Sequence, residues 1–302
     1  MPVVRVNGLK KKFQDNEVIK GLNFDLQKGK CTALIGPNGS GKTTTLRMLS
    51  GLMKPSAGTI IFEGEKKEAD IRKYIGYLPQ FPVFYEWMTG FEFLYYVGQL
   101  GGLSKKTVKA RSEELLSLVG LSEARNQRIG KYSGGMKQRL GIAQAIIHSP
   151  KLVMLDEPVS ALDPFGRREV LQLLEQLKTE MTILFSTHIL NDAEEVCDHI
   201  LFLHNGLIVE SGTLAELQKN HGQARIVLEF LEKTSDYIEA FSSRGLIASA
   251  TIEGNTATLI VKDIEEAKRA FLREIADHDW PLIRFEIGGL DLEDMFMEVV
   301  KK

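Results

Sequence analysis

Residues 31–45 read CTALIGPNGSGKTTT, and this stretch restricts the fold more tightly than any other in the chain. A short apolar run leads into a loop carrying Gly36, Gly39 and Gly41, and the chain then lands on Lys42 and a run of threonines. Glycine loses much conformational freedom on folding, so it is kept where a backbone turns oddly or approaches another group closely. The spacing G-x-x-x-x-G-K-T, filled by Gly36, Gly41, Lys42 and Thr43, turns successive backbone N–H groups inward, an arrangement that cradles phosphates. A helix predicted over 42–51 adds the positive end of its dipole. Lys42 brings a mobile point charge for outer phosphates, and the Thr43 hydroxyl is a suitable magnesium ligand.

The remaining pattern fits a sheet built around that loop. VVRV, LNFDL, GTIIF and YIGYL read as strands, and KLVML is a continuous apolar run of the kind found in parallel sheets covered on both faces. TILFST repeats that type after the helical stretch RREVLQLLEQLKTE. Asn205–Gly206 joins two strands within HILFLHNGLIVESG as a hairpin. Residues 89–130 turn helical, with Ser104 as N-cap and Gly120 as stop of one helix, and 135–148 form another. Strands alternating with helices imply a wound α/β core, here a P-loop α/β domain with a helical subdomain over about 82–150.

From about residue 222 the grammar changes. Strand 225–231, helix 235–244, strands 246–253 and 256–262, helix 263–276 and strand 281–287 give the β-α-β-β-α-β order of a ferredoxin-like motif. A last helix over DLEDMFMEVVKK aligns Leu292, Met295, Phe296 and Val299 on one face. A chain of 302 residues exceeds what one core usually serves. The expected division is 1–221 and 222–302, with Asn220 and Gly222 in the linker.

Composition narrows the functional classes. A net charge of −2 argues against a general nucleic-acid binder. Cys31 and Cys197 are no disulfide framework and indicate a reducing compartment. The N-terminus MPVVRVNGLKKKF lacks the apolar core of a signal peptide. No run approaches the eighteen or so apolar residues of a membrane span, so a membrane role would come through a partner. His148, His199, His204, His221 and His278 show no metal-ligand spacing.

Two further stretches carry chemistry. KLVMLDEP is an apolar strand ending in Asp156 and Glu157. One acid at such a position can hold magnesium and its neighbour can orient or deprotonate an attacking water. In KYSGGMKQRL, Ser133, Gly134 and Gly135 precede a helix and offer free N–H groups and close backbone access, a second anion site.

Together GPNGSGKTT, YLPQ, YSGGMKQR, VMLDEP, SALDP and STH resemble the ATP-binding-cassette (ABC) ATPases, in that family's order and approximate spacing, over about residues 3–220. The resemblance implies that Gly36, Pro37, Asn38, Gly39, Ser40, Gly41, Lys42, Thr43 and Thr44 form the Walker A loop and Gln80 the Q-loop glutamine. It implies that Ser133, Gly134 and Gly135 belong to the family signature, Asp156 and Glu157 to the Walker B pair, Asp163 to the D-loop, and that His188 is the switch histidine. Phe13 stands where the family stacks an aromatic on adenine; a packing role is the alternative. Tyr132 departs from the family, whose signature begins with leucine. The implied activity is ATP hydrolysis with Mg2+, the metal held by Thr43, Asp156 and Gln80, with Glu157 polarising water and His188 contacting the γ-phosphate. Two cassettes are implied to face head to tail, the signature of one capping ATP on the other.

The aromatic stretch FPVFYEWMTGFEFLYYVGQLGGL follows Gln80, where the family docks membrane subunits. Some of Phe81, Phe84, Tyr85 and Trp87 are expected to line that dock, the others to pack the helical subdomain. The ending GGLDLEDMFMEVV resembles bacterial exporter cassettes of the type-two class. This implies a peripheral ATPase on the cytoplasmic side of the membrane, paired with a second cassette, in a homodimer by expectation, and serving separate permease subunits. The alternatives are a soluble ABC ATPase acting on nucleic acid or ribosomes, and an importer cassette.

Overall fold

The computed structural model describes residues 2–65, 70–160, 162–220, 224–231, 237–238, 241, 245–288, 292 and 295–297. The chain divides into two compact units, Met1–Thr213 and Leu214–Lys302.

In the first unit β1 (Pro2–Phe13), β2 (Asn16–Gln27) and β4 (Ala57–Phe62) form an antiparallel sheet in the order β2-β1-β4. The strands β3 (Cys31–Ile35), β5 (Ile75–Leu78), β6 (Leu152–Asp156), β7 (Thr182–Thr187), β8 (His199–His204) and β9 (Leu207–Gly212) form a second sheet, ordered β5-β6-β7-β3-β8-β9. It is parallel except for the β8–β9 hairpin, whose turn residues Asn205 and Gly206 both have positive φ, at 48° and 77°. That is the combination a two-residue hairpin turn requires. β3, β6 and β7 are buried along their whole length, as continuous apolar strands covered on both faces should be. Because β6, β7 and β3 are neighbours and parallel, the loops after them emerge side by side at one sheet edge, where open α/β sheets bind ligands.

The helices start where polar caps stand. Thr89 forms a capping box with Glu92 at α2 (Gly90–Leu100), following α1 (Lys42–Leu49). Ser104 caps α3 (Lys105–Leu118), Ser133 caps α4 (Gly134–Ile146), and Asp163 caps α5 (Pro164–Leu177), which opens with proline. A short α6 (Leu190–Val196) follows β7.

The second unit opens with α7 (Leu214–Asn220) and contains β10 (Ala224–Phe230), β11 (Ile247–Glu253), β12 (Thr256–Val261), α8 (Ile264–Asp277) and β13 (Leu282–Gly288). The sheet order β11-β12-β10-β13 is antiparallel throughout, with the first and third strands of the motif at the centre. Ile226, Leu228, Leu259 and Phe271 form its core with Phe241, whose ring lies 4.3 Å from that of Phe271. Of the helix predicted over 235–244, Tyr237, Ile238 and Phe241 are helical, and the rest lies outside the described residues. Of the last predicted helix, Leu292 and Met295–Met297 are helical, Leu292 and Met295 are buried, and Val299 lies outside the described residues.

The units divide at 213/214, eight residues before the expected 221/222, because α7 groups with the second unit. The expected wound α/β core is present as the six-stranded sheet. VVRV and LNFDL belong to twelve-residue strands of a separate antiparallel sheet, whose apolar alternation is interrupted by register shifts, as between Val6 and Leu9.

Candidate functional site

The loop after β3 is built on two close approaches. A Cβ on Gly36 would lie 2.2 Å from the Leu203 carbonyl oxygen, so only glycine lets the loop leave the sheet between β7 and β8. Gly41, with φ 109°, stands where a Cβ would lie 2.4 Å from Ile19 Cδ1. The loop is tied down from outside as well, since Gly206 N–H donates to the Ser40 carbonyl at 3.2 Å. Helix α1 then begins with no side-chain cap, which leaves its first N–H groups for whatever enters the cleft.

Lys42 is folded into this loop. Its ammonium donates to the carbonyls of Gly36 (2.7 Å) and Pro37 (3.3 Å) and lies 3.2 Å from Glu157 Oε1. The two charged side chains are 6% and 5% exposed. Charges this deep persist only when paired and hydrogen-bonded.

The two carboxylates at the end of β6 are held differently. Asp156 Oδ1 accepts from Thr43 Oγ1 at 3.1 Å and from Ser186 Oγ at 2.7 Å. Ser186 Oγ in turn accepts the Glu157 N–H at 3.0 Å. Glu157 has φ 52°, an uncommon conformation for a residue with a side chain, and this serine helps to fix it. The Glu157 carboxylate bridges two elements, with Oε1 on Lys42 and Oε2 2.7 Å from His188 Nδ1. Burial, with the Asp156 charge adding to it, pushes the Tyr77 hydroxyl up to about 12, so the phenol stays protonated next to the acid. Ser186 and Tyr77 were not foreseen as site residues. The signal for Ser186 was an apolar strand, TILFST, that ends in hydroxyls.

A cleft of about 320 Å³ opens here, lined by Pro37, Asn38, Gly39, Gly41, Lys42, Thr43 and Thr44 of the loop, by Gln80 and Glu157, and by Val18. Ser40 is buried below it, and its hydroxyl finds no partner among the described residues. Phe13 does not line the cleft. It ends β1, is 43% exposed, and has Lys11 Nζ 4.9 Å from its ring centroid. Asp163 accepts from Gly166 N–H at 2.7 Å as a helix cap. Ser133 accepts from Met136 N–H at 3.2 Å; Ser133 and Gly134 are exposed, and the signature stretch does not line the cleft.

Comparison with known proteins agrees with this geometry. Residues 19–160 match the family described as ABC transporter. The chain is 45% identical over 300 residues to the "Uncharacterized ABC transporter ATP-binding protein YxlF" of Bacillus subtilis, covering 99% of both chains. The chain belongs to the ABC transporter ATP-binding proteins. Residues 212–300 of this ABC protein match the C-terminal domain of the ATP-binding proteins described as DrrA1-3-like. It is also 30% identical over 304 residues to the linearmycin resistance ATP-binding protein LnrL of B. subtilis, covering 98% of each. The bacitracin transport ATP-binding protein BcrA of Bacillus licheniformis is 38% identical, covering 76% of this chain and 74% of BcrA. Among solved structures, an ATP-binding subunit of an ABC transporter is 34% identical with a TM-score of 0.66, covering 73% of this chain and 93% of that one. A dimeric cassette bound to ADP and Pi is 26% identical with a TM-score of 0.63, covering 70% and 98%. The present chain is an ATP-binding subunit of an ABC transporter. Among the described residues, no helix is long and apolar enough to cross a membrane.

Proposed function

We propose that this chain hydrolyses ATP to drive a bacterial exporter, acting on a separate membrane permease through ATP-dependent pairing of two cassettes. The observation that carries the reading is the convergence on one cleft of a phosphate loop with a buried lysine, Gln80, and a glutamate hydrogen-bonded to a histidine. A triphosphate fits this cleft. Loop N–H groups and the α1 terminus supply donors, and Lys42 can exchange Glu157 for a phosphate oxygen. Thr43, Asp156 and Gln80 offer oxygen donors for Mg2+, which when bound neutralises phosphate charge. Glu157 is placed to accept the proton of an attacking water, and His188 holds the far carboxylate oxygen.

The head-to-tail pairing is supported by the exposure of Ser133 and Gly134 at the start of the thirteen-residue α4, away from the chain's own cleft. A helix start of this kind attracts anions, and the phosphate of a second copy is the ligand proposed for it. Asp163, also exposed, is assigned to the same junction. Phe13, with an exposed ring, is assigned to adenine. Export is favoured by the relatives named for linearmycin resistance and bacitracin transport.

The permease dock is assigned to the exposed aromatics after Gln80. Phe81, Tyr85 and Trp87 are solvent-facing, whereas Phe84 packs edge-on against Phe93 at 5.2 Å and belongs to the subdomain core. Large exposed apolar patches commonly mark interfaces. Trp87, 66% exposed, is the anchor to test. Trp87→Ala is expected to keep the circular dichroism and melting temperature of the parent chain. Its recovery with the permease on co-purification should fall about tenfold or more, the scale of an interface hot spot. A variant that unfolds, or one that co-purifies undiminished, would contradict the assignment.

A further inference from the structure

Tyr132 opens the signature stretch, yet it does not reach the cleft. It is 6% exposed, and its hydroxyl donates to the Ala124 carbonyl at 2.7 Å. On its other side stands Gly90, the first residue of α2. A Cβ there would lie 2.3 Å from the Tyr132 hydroxyl oxygen and 3.3 Å from Cζ. The ring therefore spans from the entry of Ser133 to the start of the helix that follows the exposed aromatics, a reach leucine does not have.

The same two segments are joined along their backbones. Gly130 N–H donates to the Glu86 carbonyl (3.0 Å), Ile129 N–H to that of Met88 (2.8 Å), and Phe91 N–H to that of Arg125 (3.0 Å). Thr89 and Arg128 form an isolated antiparallel bridge, and Lys137 Nζ lies 3.0 Å from Glu86 Oε1. Tyr85 and Trp87, both exposed, sit on this laced segment, and Ser133 is the next residue after the tyrosine. Segments 86–91 and 125–130 are thereby joined by main-chain hydrogen bonds, while the Tyr132 hydroxyl, bonded to Ala124 on its own side of the junction, packs against Gly90 on the other.

We propose that Tyr132 is a positioning residue whose hydroxyl registers Ser133 and Gly135 against the aromatic segment, so that the docked state of that segment sets the cap presented to a second copy's nucleotide. This rests on the shared-site reading above. A residue that merely fills space would tolerate loss of the hydroxyl, because phenylalanine keeps the ring.

The test is sedimentation of the full chain carrying Glu157→Gln, with and without ATP, alone and combined with Tyr132→Phe. Binding of a fluorescent ATP analogue by the dilute, monomeric chain is measured alongside. Tyr132→Phe is expected to weaken ATP-dependent dimerisation roughly tenfold, the scale of one lost intramolecular hydrogen bond. Binding of the analogue should stay within about twofold, a change of only ~0.4 kcal/mol, because the Lys42 loop is untouched. An unchanged dimer constant overturns the proposal, and so does loss of analogue binding together with the fold. A Glu157→Gln parent that fails to dimerise with ATP overturns the shared-site reading and this inference with it. Gly90→Ala gives an independent approach to the same hydroxyl. It should weaken the dimer in the Tyr132 chain and have little further effect beside Tyr132→Leu, which removes the clashing atoms. Equal effects in both backgrounds would also count against the proposal.

Discussion

Lys42→Ala is expected to lower steady-state ATP turnover at least about a hundredfold, which is ~2.7 kcal/mol of barrier. The ammonium sits among the Gly36 and Pro37 carbonyls and 3.2 Å from Glu157. Alanine removes the positive charge that would meet the outer phosphates. It also strands a carboxylate that is 5% exposed, and breaking a buried pair from one side usually costs about 3–5 kcal/mol of stability. Here the loss should be smaller, since Glu157 keeps His188 Nδ1 at 2.7 Å. A coupled-enzyme ATPase assay beside a thermal melt separates the two effects. Turnover within about twofold of the parent, ~0.4 kcal/mol, would remove the phosphate-loop assignment.

That assignment was legible because its parts are contiguous. Six loop residues, the preceding strand and the first turn of α1 follow one another, so local spacing alone describes the cradle. The caps were legible for the same reason: Ser104 bonds Thr107 N–H three residues on, and Asn205–Gly206 turns within its own hairpin. What lay beyond the sequence is what parallel register decides. Ser186 meets Asp156 because β6 and β7 pair those two residues, thirty positions apart. The Lys42–Glu157 pair needs β7 to bring the β3 and β6 loops to one edge, a strand order that periodicity does not encode. Length was also hidden. The bulged pairing of β1 with β2 interrupts strict alternation, so that twelve-residue strands looked like four or five residues. Phe13, assigned above to adenine, has Lys11 Nζ over its ring and is not among the residues that line the phosphate cleft.

Glu157→Gln is expected to nearly stop hydrolysis while ATP stays bound. Glutamine keeps the size of the side chain and an oxygen for Lys42, whose ammonium retains two backbone carbonyls in any case. It removes the proton acceptor for the attacking water, an effect of about a hundredfold or more on turnover, and one negative charge near the γ-phosphate. Like-charge repulsion in a water-poor junction is strong, so its removal should hold two copies together on ATP. Adding Gly135→Asp then tests where the cap comes from. A Cβ on Gly135 would meet no atom nearer than Gly166 Cα at 4.0 Å, so the chain itself can accommodate the change. Gly135 also does not line its own cleft, and binding of ATP to the single chain should survive. In the paired state the new carboxylate would face the phosphates presented by the other copy and repel them. Sedimentation should therefore show an ATP-dependent dimer for Glu157→Gln and monomers for the double variant. The same comparison in the permease complex, read as trapped nucleotide per cassette, should give the same order. A dimer that persists with Asp at 135 would mean that YSGGM does not cap nucleotide across the junction, and each copy would then have to complete its site with other residues.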